Sequence, residues 1–464
     1  MLFRFCLYGF LKNQRYFEPF FMLALLAHGL SFFEIGLLYA CRSLTLNVLE
    51  IPSGVIADQW GRRASMIGSF VAYIVSFLMF AFVDQLAWLM LAMVLYGVGD
   101  SFRTGTHKAM IFQWLKNEGR SDERTQVYGF TRSWSQYGSA VSALIAACFV
   151  IASGDYRTVF LAATLPYFLN IVNFLGYPAE VDGAGELHRA GVQSEGSSNA
   201  PSGSLSSLLG YVRRLFGSTI QTIHHSWQHR QLRGLIVQSM AWEGVFAAIK
   251  DYLQPALLAL ALLTLGTSQH TPVDANANDN VAVESESSLS IDAGSGASAG
   301  VVLTISLTYT ALFLLSGWAS RSAHTWVSRA GSHARASHGL WWASIGLYAL
   351  LGLSDLLGWT LIVVFTFVML TILENVWRPI LISRFDDHAA AHLGATILSI
   401  ESQSQRLATL VVAPLVGWAI DAIWRNGWPG HLWPIGLVGV LAGLAALQLA
   451  FIEQKLVFDR VNEG

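Results

Sequence analysis

Ionisable side chains standing inside long apolar runs are the residues of this chain equipped for chemistry. Lys12, Arg15 and Glu18 are three apart and would share one face of a continuous helix. Further along come Arg42 and Glu50, then Asp100, Arg103, His107 and Lys108, then Arg132 and Gln136. In the second half stand Glu243, Lys250 and Asp251, then Glu374 and Arg378, then Glu401, Gln405 and Arg406. A charge in hydrocarbon is costly unless it faces a cavity or a partner. Two readings of these residues therefore stand. Opposite charges pair and fix helix packing, or they face a cavity in which carboxylates exchange protons and polar groups hold a solute. Glu18, Asp100, Glu374 and Glu401 are the candidate proton acceptors. Asp100 and Glu374 each have an arginine about one turn away that would compete with a proton. For Arg42, Glu50 and Arg406 structural pairing is an equal reading. His107, next to Lys108, is either a cavity residue or a packed imidazole.

The elements that must carry these groups are membrane-length helices. The chain is 53% hydrophobic and 12% charged, about half the charged fraction of a soluble domain. A spanning helix needs about 20 mostly apolar residues. Runs of that kind fall at 5–29, 32–57, 64–83, 86–115, 126–151 and 158–177, and again at 232–265, 300–319, 339–353, 358–382, 391–423 and 432–451. The expected fold is thus all-α, with twelve transmembrane helices in two six-helix bundles. The bundles take residues 1–178 and 231–452. A polar linker, 179–230, separates them and holds a candidate amphipathic stretch at 205–223; residues 453–464 form a tail. The stretch 267–298 is acidic, low in complexity and free of Lys and Arg, so disorder is expected. Basic residues bias orientation toward the cytoplasm. With both termini inside, Arg62, Arg63, Lys116, Arg120, Arg124, Arg213, Arg214, Arg321, Arg329 and Arg335 are cytoplasmic and the acidic loop is external.

The halves echo one another. Asp100 and Arg103 match Glu374 and Arg378; Arg132 to Gln136 matches Glu401 to Gln405; Lys12 with Glu18-Pro19 matches Lys250 with Gln254-Pro255. Pro19 and Pro255 would each free a backbone carbonyl one turn earlier, either toward a wet cavity or at a simple kink. Gly129, Gly138, Ser139, Ala140 and Ser142 would allow close contact between the halves.

Residues 54–63, GVIADQWGRR, read as a short charged turn between the second and third runs. The pattern G-x-x-x-D-x-x-G-R-R resembles the signature loop of the major facilitator superfamily. The resemblance implies twelve helices, alternating access and a gating role for Gly54, Asp58, Gly61, Arg62 and Arg63. Asp58 would accept hydrogen bonds from the N-terminus of helix eleven near residues 388–394, and Gly54 would let helices two and eleven approach. Gln59 departs from the family's usual Arg or Lys, and the second-half copy at 317–321 lacks the Asp. In that family, helices one, four, seven and ten line the central cavity, so the resemblance assigns Lys12, Arg15, Glu18, Asp100, Arg103, His107, Arg132, Gln136, Glu243, Lys250, Asp251, Glu374, Arg378, Glu401 and Gln405 to a substrate and proton cavity.

The resulting expectation is a monomeric, proton-coupled secondary transporter of a small polar or charged solute in a bacterial inner membrane. A multidrug or metabolite exporter is the alternative, and a transporter-fold sensor or scaffold is the reading from another class. No catalytic constellation, metal site or cofactor motif is present in the sequence, and Cys6, Cys41 and Cys148 read as packing residues. A net charge of -2 argues against a nucleic-acid partner.

Overall fold

The computed structural model describes residues 1–120, 123–182, 230–265, 298–388 and 394–463; of residues 58–60, 124–125, 179, 230–231, 386–388, 394–396 and 450–463 it describes the backbone alone. Most of the linker, its stretch 205–223, and the acidic loop up to residue 297 lie outside the described residues. So do the side chains of Asp58 and Gln59 and the start of helix eleven that Asp58 was expected to meet.

Every element among the described residues is helical. The first half holds α1 (Leu2–Lys12), α2 (Phe21–Ala27), α3 (Phe32–Trp60), α4 (Arg62–Phe82), α5 (Leu86–Arg103), α6 (Thr106–Asn117), α7 (Arg124–Ser153) and α8 (Arg157–Leu175). The second holds α9 (Arg230–Ser239), α10 (Val245–Ile249), α11 (Leu253–Leu265), α12 (Ala299–Ala330), α13 (His333–Leu356), α14 (Thr360–His388), α15 (Gly394–Arg425) and α16 (Trp433–Glu463). Nine helical stretches among the described residues are long and apolar enough to cross a membrane. Two apolar helices are shorter, Glu18–Ala27 and Trp433–Leu449. Helix α13 occupies the ninth expected run. Helix α12 extends beyond its predicted end at 319, so Arg321 and Arg329 sit in its last turns instead of in a loop. The last helix continues to Glu463 through the expected tail.

Side-chain placement fits hydrocarbon on the outside. On α8, Leu161, Leu165, Phe168, Leu169 and Val172 are exposed, while Phe160, Ala163, Tyr167 and Phe174 on the opposite face are buried. That is an apolar helix with an apolar outer surface, the arrangement a lipid solvent favours. The inner faces meet through aromatic packing. Phe70, Tyr73, Phe77, Tyr96 and Tyr167 pack in the first bundle, and Trp242 stacks on Trp377 at 4.5 Å beside Trp341 in the second.

Three of the expected spans are broken. Helix α1 stops at Lys12, and a 3-10 turn, Glu18–Phe20, precedes α2. The shared face of Lys12, Arg15 and Glu18 therefore does not exist: the chain unwinds between them. Asn13 and Gln14 secure the unwound stretch by donating to the carbonyls of Ser135 (2.5 Å) and Gly138 (3.1 Å) on α7. Pro19 opens the short 3-10 turn, where its missing N–H costs no helix-interior bond. Pro255 likewise sits in the first turn of α11. Neither proline frees a carbonyl inside a continuous helix, which corrects the kink expected from sequence. The fourth span breaks at Gly105, whose φ of +81° suits glycine and not a residue bearing Cβ. The seventh passes through a π turn, Met240–Gly244, and a 3-10 turn, Lys250–Tyr252. π turns recur at functional sites.

The turn of the signature segment is shorter than the gap left between the expected runs. Helix α3 runs through Trp60 and α4 starts at Arg62, so Gly61 alone makes the reversal, at φ +98°. A Cβ there would also collide with the Asp182 carboxylate. Asp182 accepts the Arg63 N–H at 2.6 Å and caps α4, while the Arg63 guanidinium donates to the carbonyls of Leu175 and Tyr177 at the end of α8. These described contacts tie the segment to its own bundle. Gly54 faces open space in this conformation, so the approach of α3 to α15 seen here does not run through it. That approach occurs at Gly36, where a Cβ would lie 2.5 Å from the Ala413 carbonyl, and at Gly417 against the Phe32 carbonyl. Gly138 packs α7 on α1 of the same bundle, against the Phe10 carbonyl, and Gly129 faces open space. Neither serves the contact between halves expected of it.

Candidate functional site

The two bundles are sealed together at the end of the molecule that carries Ser31. Ser31 and Glu34 form a reciprocal cap on α3. Asp421, from α15 of the other half, accepts the next two free N–H groups, of Phe32 at 3.1 Å and Phe33 at 2.8 Å. An anion at a helix N-terminus is favourable, so this contact ties the halves where α3 begins. Deeper, Gln254 accepts from the Met22 and Leu23 N–H groups and donates to the Glu18 carbonyl at 3.0 Å. Tyr39 donates to Asp251 at 2.7 Å. The seam continues where the Glu50 carboxylate receives Arg406 and the Ser399 hydroxyl. Glu50 and Arg406 thus pair with each other across the halves.

At the opposite end, near the chain start, the first bundle encloses a cavity of about 470 Å³. Thr104 and Gly105, where the fourth span breaks, form part of its wall. Lys12, Arg103, His107, Lys108, Arg132 and Gln136 all line it, and no Asp or Glu does. Arg15 and Asp100 of the expected set do not line it. Asp100 is 4% exposed and enclosed by donors. Arg42 reaches it at 2.5 Å, Arg103 at 3.0 Å and Tyr73 at 2.5 Å, from three helices. Both carboxylate oxygens are committed, so in this structure Asp100 holds Arg42 and Arg103, and both arginines compete with a proton there. Arg42 also lies over the Tyr96 ring, 4.7 Å from its centre. His107 is stacked on Tyr8 at 3.7 Å, so it is both packed and at the cavity wall.

The second bundle gathers acid. The π turn of the seventh span presents Glu243; α14 supplies Glu374 and Arg378; α15 supplies Glu401 and Gln405. Arg378 donates to Glu243 at 2.5 Å and to Glu401 at 2.7 Å. Ser239 donates to Glu401 at 2.5 Å, and Gln405 donates to Ser239, Glu243 and Glu401. The expected Glu374–Arg378 pair is not formed: Arg378 turns to the other two acids, and Oε2 of Glu374 is buried without a partner. One guanidinium is thus shared between two carboxylates, with Glu374 left outside the pairing. Lys250 is exposed and Asp251 belongs to the sealed end, as does Glu18.

Several participants carried no sequence signal. Asp182 and Asp421 act through the backbone N–H groups of helices far away in sequence, and Ser239 and Tyr73 are ordinary residues until three helices converge on them. His/Cys/Asp/Glu groups able to hold a metal ion are absent among the described residues.

Two helical bundles, broken spans at the interior and charged residues along the seam define a multi-pass membrane transporter. A family model described as the Major Facilitator Superfamily matches residues 5–400, and the chain belongs to that superfamily. It is similar to an uncharacterized MFS-type transporter, YxaM, of Bacillus subtilis strain 168, with 34% identity over 106 residues. That match covers 23% of this chain and 26% of the relative's length. Among solved structures, a mutant of the nucleoside transporter NupG superposes with a TM-score of 0.66 at 12% identity, covering 97% of this chain and 98% of that one. A D-xylose–proton symporter gives 0.62 at 13% identity over 96% of each chain. A POT family transporter in complex with a thioalcohol-conjugated peptide gives 0.56 at 16% identity, over 99% of this chain and 94% of that one.

Proposed function

We propose that this transporter couples the movement of a small polar or charged solute to protons, and that Glu374, Glu401 and Glu243 carry the coupling. The observation behind this is the surplus of carboxylates around the single Arg378. Unpaired acid at membrane depth is costly, and proton uptake relieves that cost. Released to an ionised state, the acids would pull more strongly on Arg378, and α14 would shift relative to α15 and the π turn. That gives proton occupancy a handle on the relative positions of the bundles. One structural relative is a D-xylose–proton symporter, which is consistent with this reading, although the likeness is of fold.

The conformation is closed at the Ser31 end. With the positive-inside orientation, N- and C-termini lie in the cytoplasm, the seal is external and the cavity opens inward. The protein works as a single chain in a bacterial cytoplasmic membrane. A hydrophobic-drug exporter is the weaker reading, because Lys12, Arg103, Lys108 and Arg132 line the cavity.

The test begins with a thermal-shift screen of polar solutes on purified protein, followed by proteoliposome uptake of the most stabilising one under an imposed pH gradient. Gradient-driven uptake is expected, with Glu374→Gln and Glu401→Gln retaining exchange but losing the response to the gradient. Wild-type pH dependence in both variants refutes the coupling. No gradient-driven movement of any solute in the panel refutes transport in favour of a sensor or scaffold.

A further inference from the structure

Three cations of the cavity differ from the acid-paired arginines of the chain. At the surface between α6 and α7, Arg120 pairs with Glu123 at 2.6 Å, and its guanidinium holds the Glu123 carboxyl below the usual range. Arg42 and Arg378 pair with acids as well. Lys12, Lys108 and Arg132 line the cavity and, among the described residues, have no carboxylate partner. Lys12 and Lys108 meet only aromatic faces, Lys12 that of Tyr8 at 6.0 Å and Lys108 those of Phe112 and Tyr128 at 5.5 and 5.4 Å. Arg132 is exposed in the cavity wall.

The broken fourth span adds a second source of positive potential. Helix α6, 12 residues long, begins at the cavity with Gly105 as its cap and no side-chain acceptor on its first turn. The Ala109 N–H finds the Gly105 carbonyl, but the N–H groups of Thr106, His107 and Lys108 have no acceptor among the described residues. Free N–H groups at a helix start, with the positive end of its dipole, suit an anion. His107 is 9% exposed, lines the same wall and leaves its buried Nε2 without a partner. A helix start without acceptors, beside three cations that have no acid partner, describes a site that lacks its negative component.

We propose that this cavity binds an oxyanion, the carboxylate or phosphate group of a small solute, between the α6 N-terminus and the side chains of Lys12, Lys108 and Arg132. The inference deepens the transporter reading by taking this cavity as the solute's site, and it names the solute as an organic anion. Arg103 is committed to Asp100 and Tyr73, so it contributes field and position rather than a free donor. Gln136, Ser135 and Thr131 provide neutral hydrogen-bonding groups for the rest of the solute.

The experiment is calorimetric titration of the full-length protein in uncharged detergent with inorganic phosphate and with succinate, at constant ionic strength. Either anion is expected to bind the wild type. Arg132→Gln and Lys12→Met are each expected to weaken that binding roughly tenfold or more, as loss of a charge-assisted contact does. Arg132→Lys is expected to restore part of it, and Arg120→Gln, an equal change of charge outside the cavity, to leave it intact. No binding of either anion, or equal loss in Arg120→Gln, overturns the proposal. So does binding of phosphatidylglycerol in mixed micelles without binding of free anion, which would make the site a lipid headgroup contact. Because no gradient is applied, failure of proton coupling leaves this test unaffected.

Discussion

The two bundles solve the same problem, charge in a membrane interior, in opposite ways. The second closes its charges on themselves: Glu243, Arg378, Glu401, Gln405 and Ser239 form one connected network. The first divides its charges. Asp100 binds Arg42 and Arg103, and Lys12, Lys108 and Arg132 stand apart around a cavity. At pseudo-equivalent positions one bundle has Arg132 and Gln136 and the other Glu401 and Gln405. The amide is kept and the charge inverted. A network that holds two acids on one guanidinium resists rearrangement without a change in its proton count, whereas cations around a cavity without acid partners invite a ligand.

Removing the centre of the closed network should have the largest effect. Arg378→Leu strands Glu243 and Glu401, and breaking a buried pair in this way costs about 3–5 kcal/mol. Chemical unfolding in detergent should show that loss, with Glu243→Gln and Glu401→Gln added to the same chain restoring part of it. A loss below about 1 kcal/mol would mean that water, not Arg378, satisfies the acids.

Gly61→Ala comes next. The residue must keep a positive φ, at a cost of about 1–2 kcal/mol, and its methyl group meets the Asp182 carboxylate. Gly54→Ala, in open space within α3, should be neutral or stabilising by roughly 0.5–1 kcal/mol. Equal effects at the two glycines would break the distinction drawn between them.

Asp421→Ala removes the cap that joins the bundles at the sealed end, worth about 1 kcal/mol. Its signature is conformational. A cysteine introduced at Phe33, which is 38% exposed, should react faster with a water-soluble thiol reagent once the seal is loosened. An unchanged rate would assign the seal to the packing at Gly36 and Gly417.

The smallest stability effect belongs to Arg132→Gln, within about 0.5 kcal/mol as for other exposed sites. Glu401→Gln, at the matching position of the closed network, should move the unfolding midpoint more. If the two midpoints shift alike, the contrast between an open and a closed bundle fails.

Much of the fold was legible because helix length and lipid contact are local demands. Twenty apolar residues span hydrocarbon whatever their neighbours are, and charged residues within such runs have to face inward. Lys12, Arg103, His107, Arg132 and Gln136 were found that way and do line one cavity. The breaks were harder to see. The unwinding after Lys12 depends on Asn13 and Gln14 finding carbonyls on α7, a helix more than a hundred residues later. Without those acceptors an apolar stretch reads as one continuous helix, and spacing by three reads as one face.

Partner choice was decided at the same remove. The sequence alone determined that this chain is a bundle of membrane-length helices with an acidic and a basic set of interior residues, because composition and periodicity are properties of the chain itself. It also placed Arg378 one turn from Glu374. Only the tertiary structure turned Arg378 to Glu243 and Glu401, left Lys12, Lys108 and Arg132 without acid partners among the described residues, and assigned Asp182 and Asp421 to helix ends. Those outcomes depend on which helices approach within hydrogen-bond reach, and that distance is set by packing across the whole molecule.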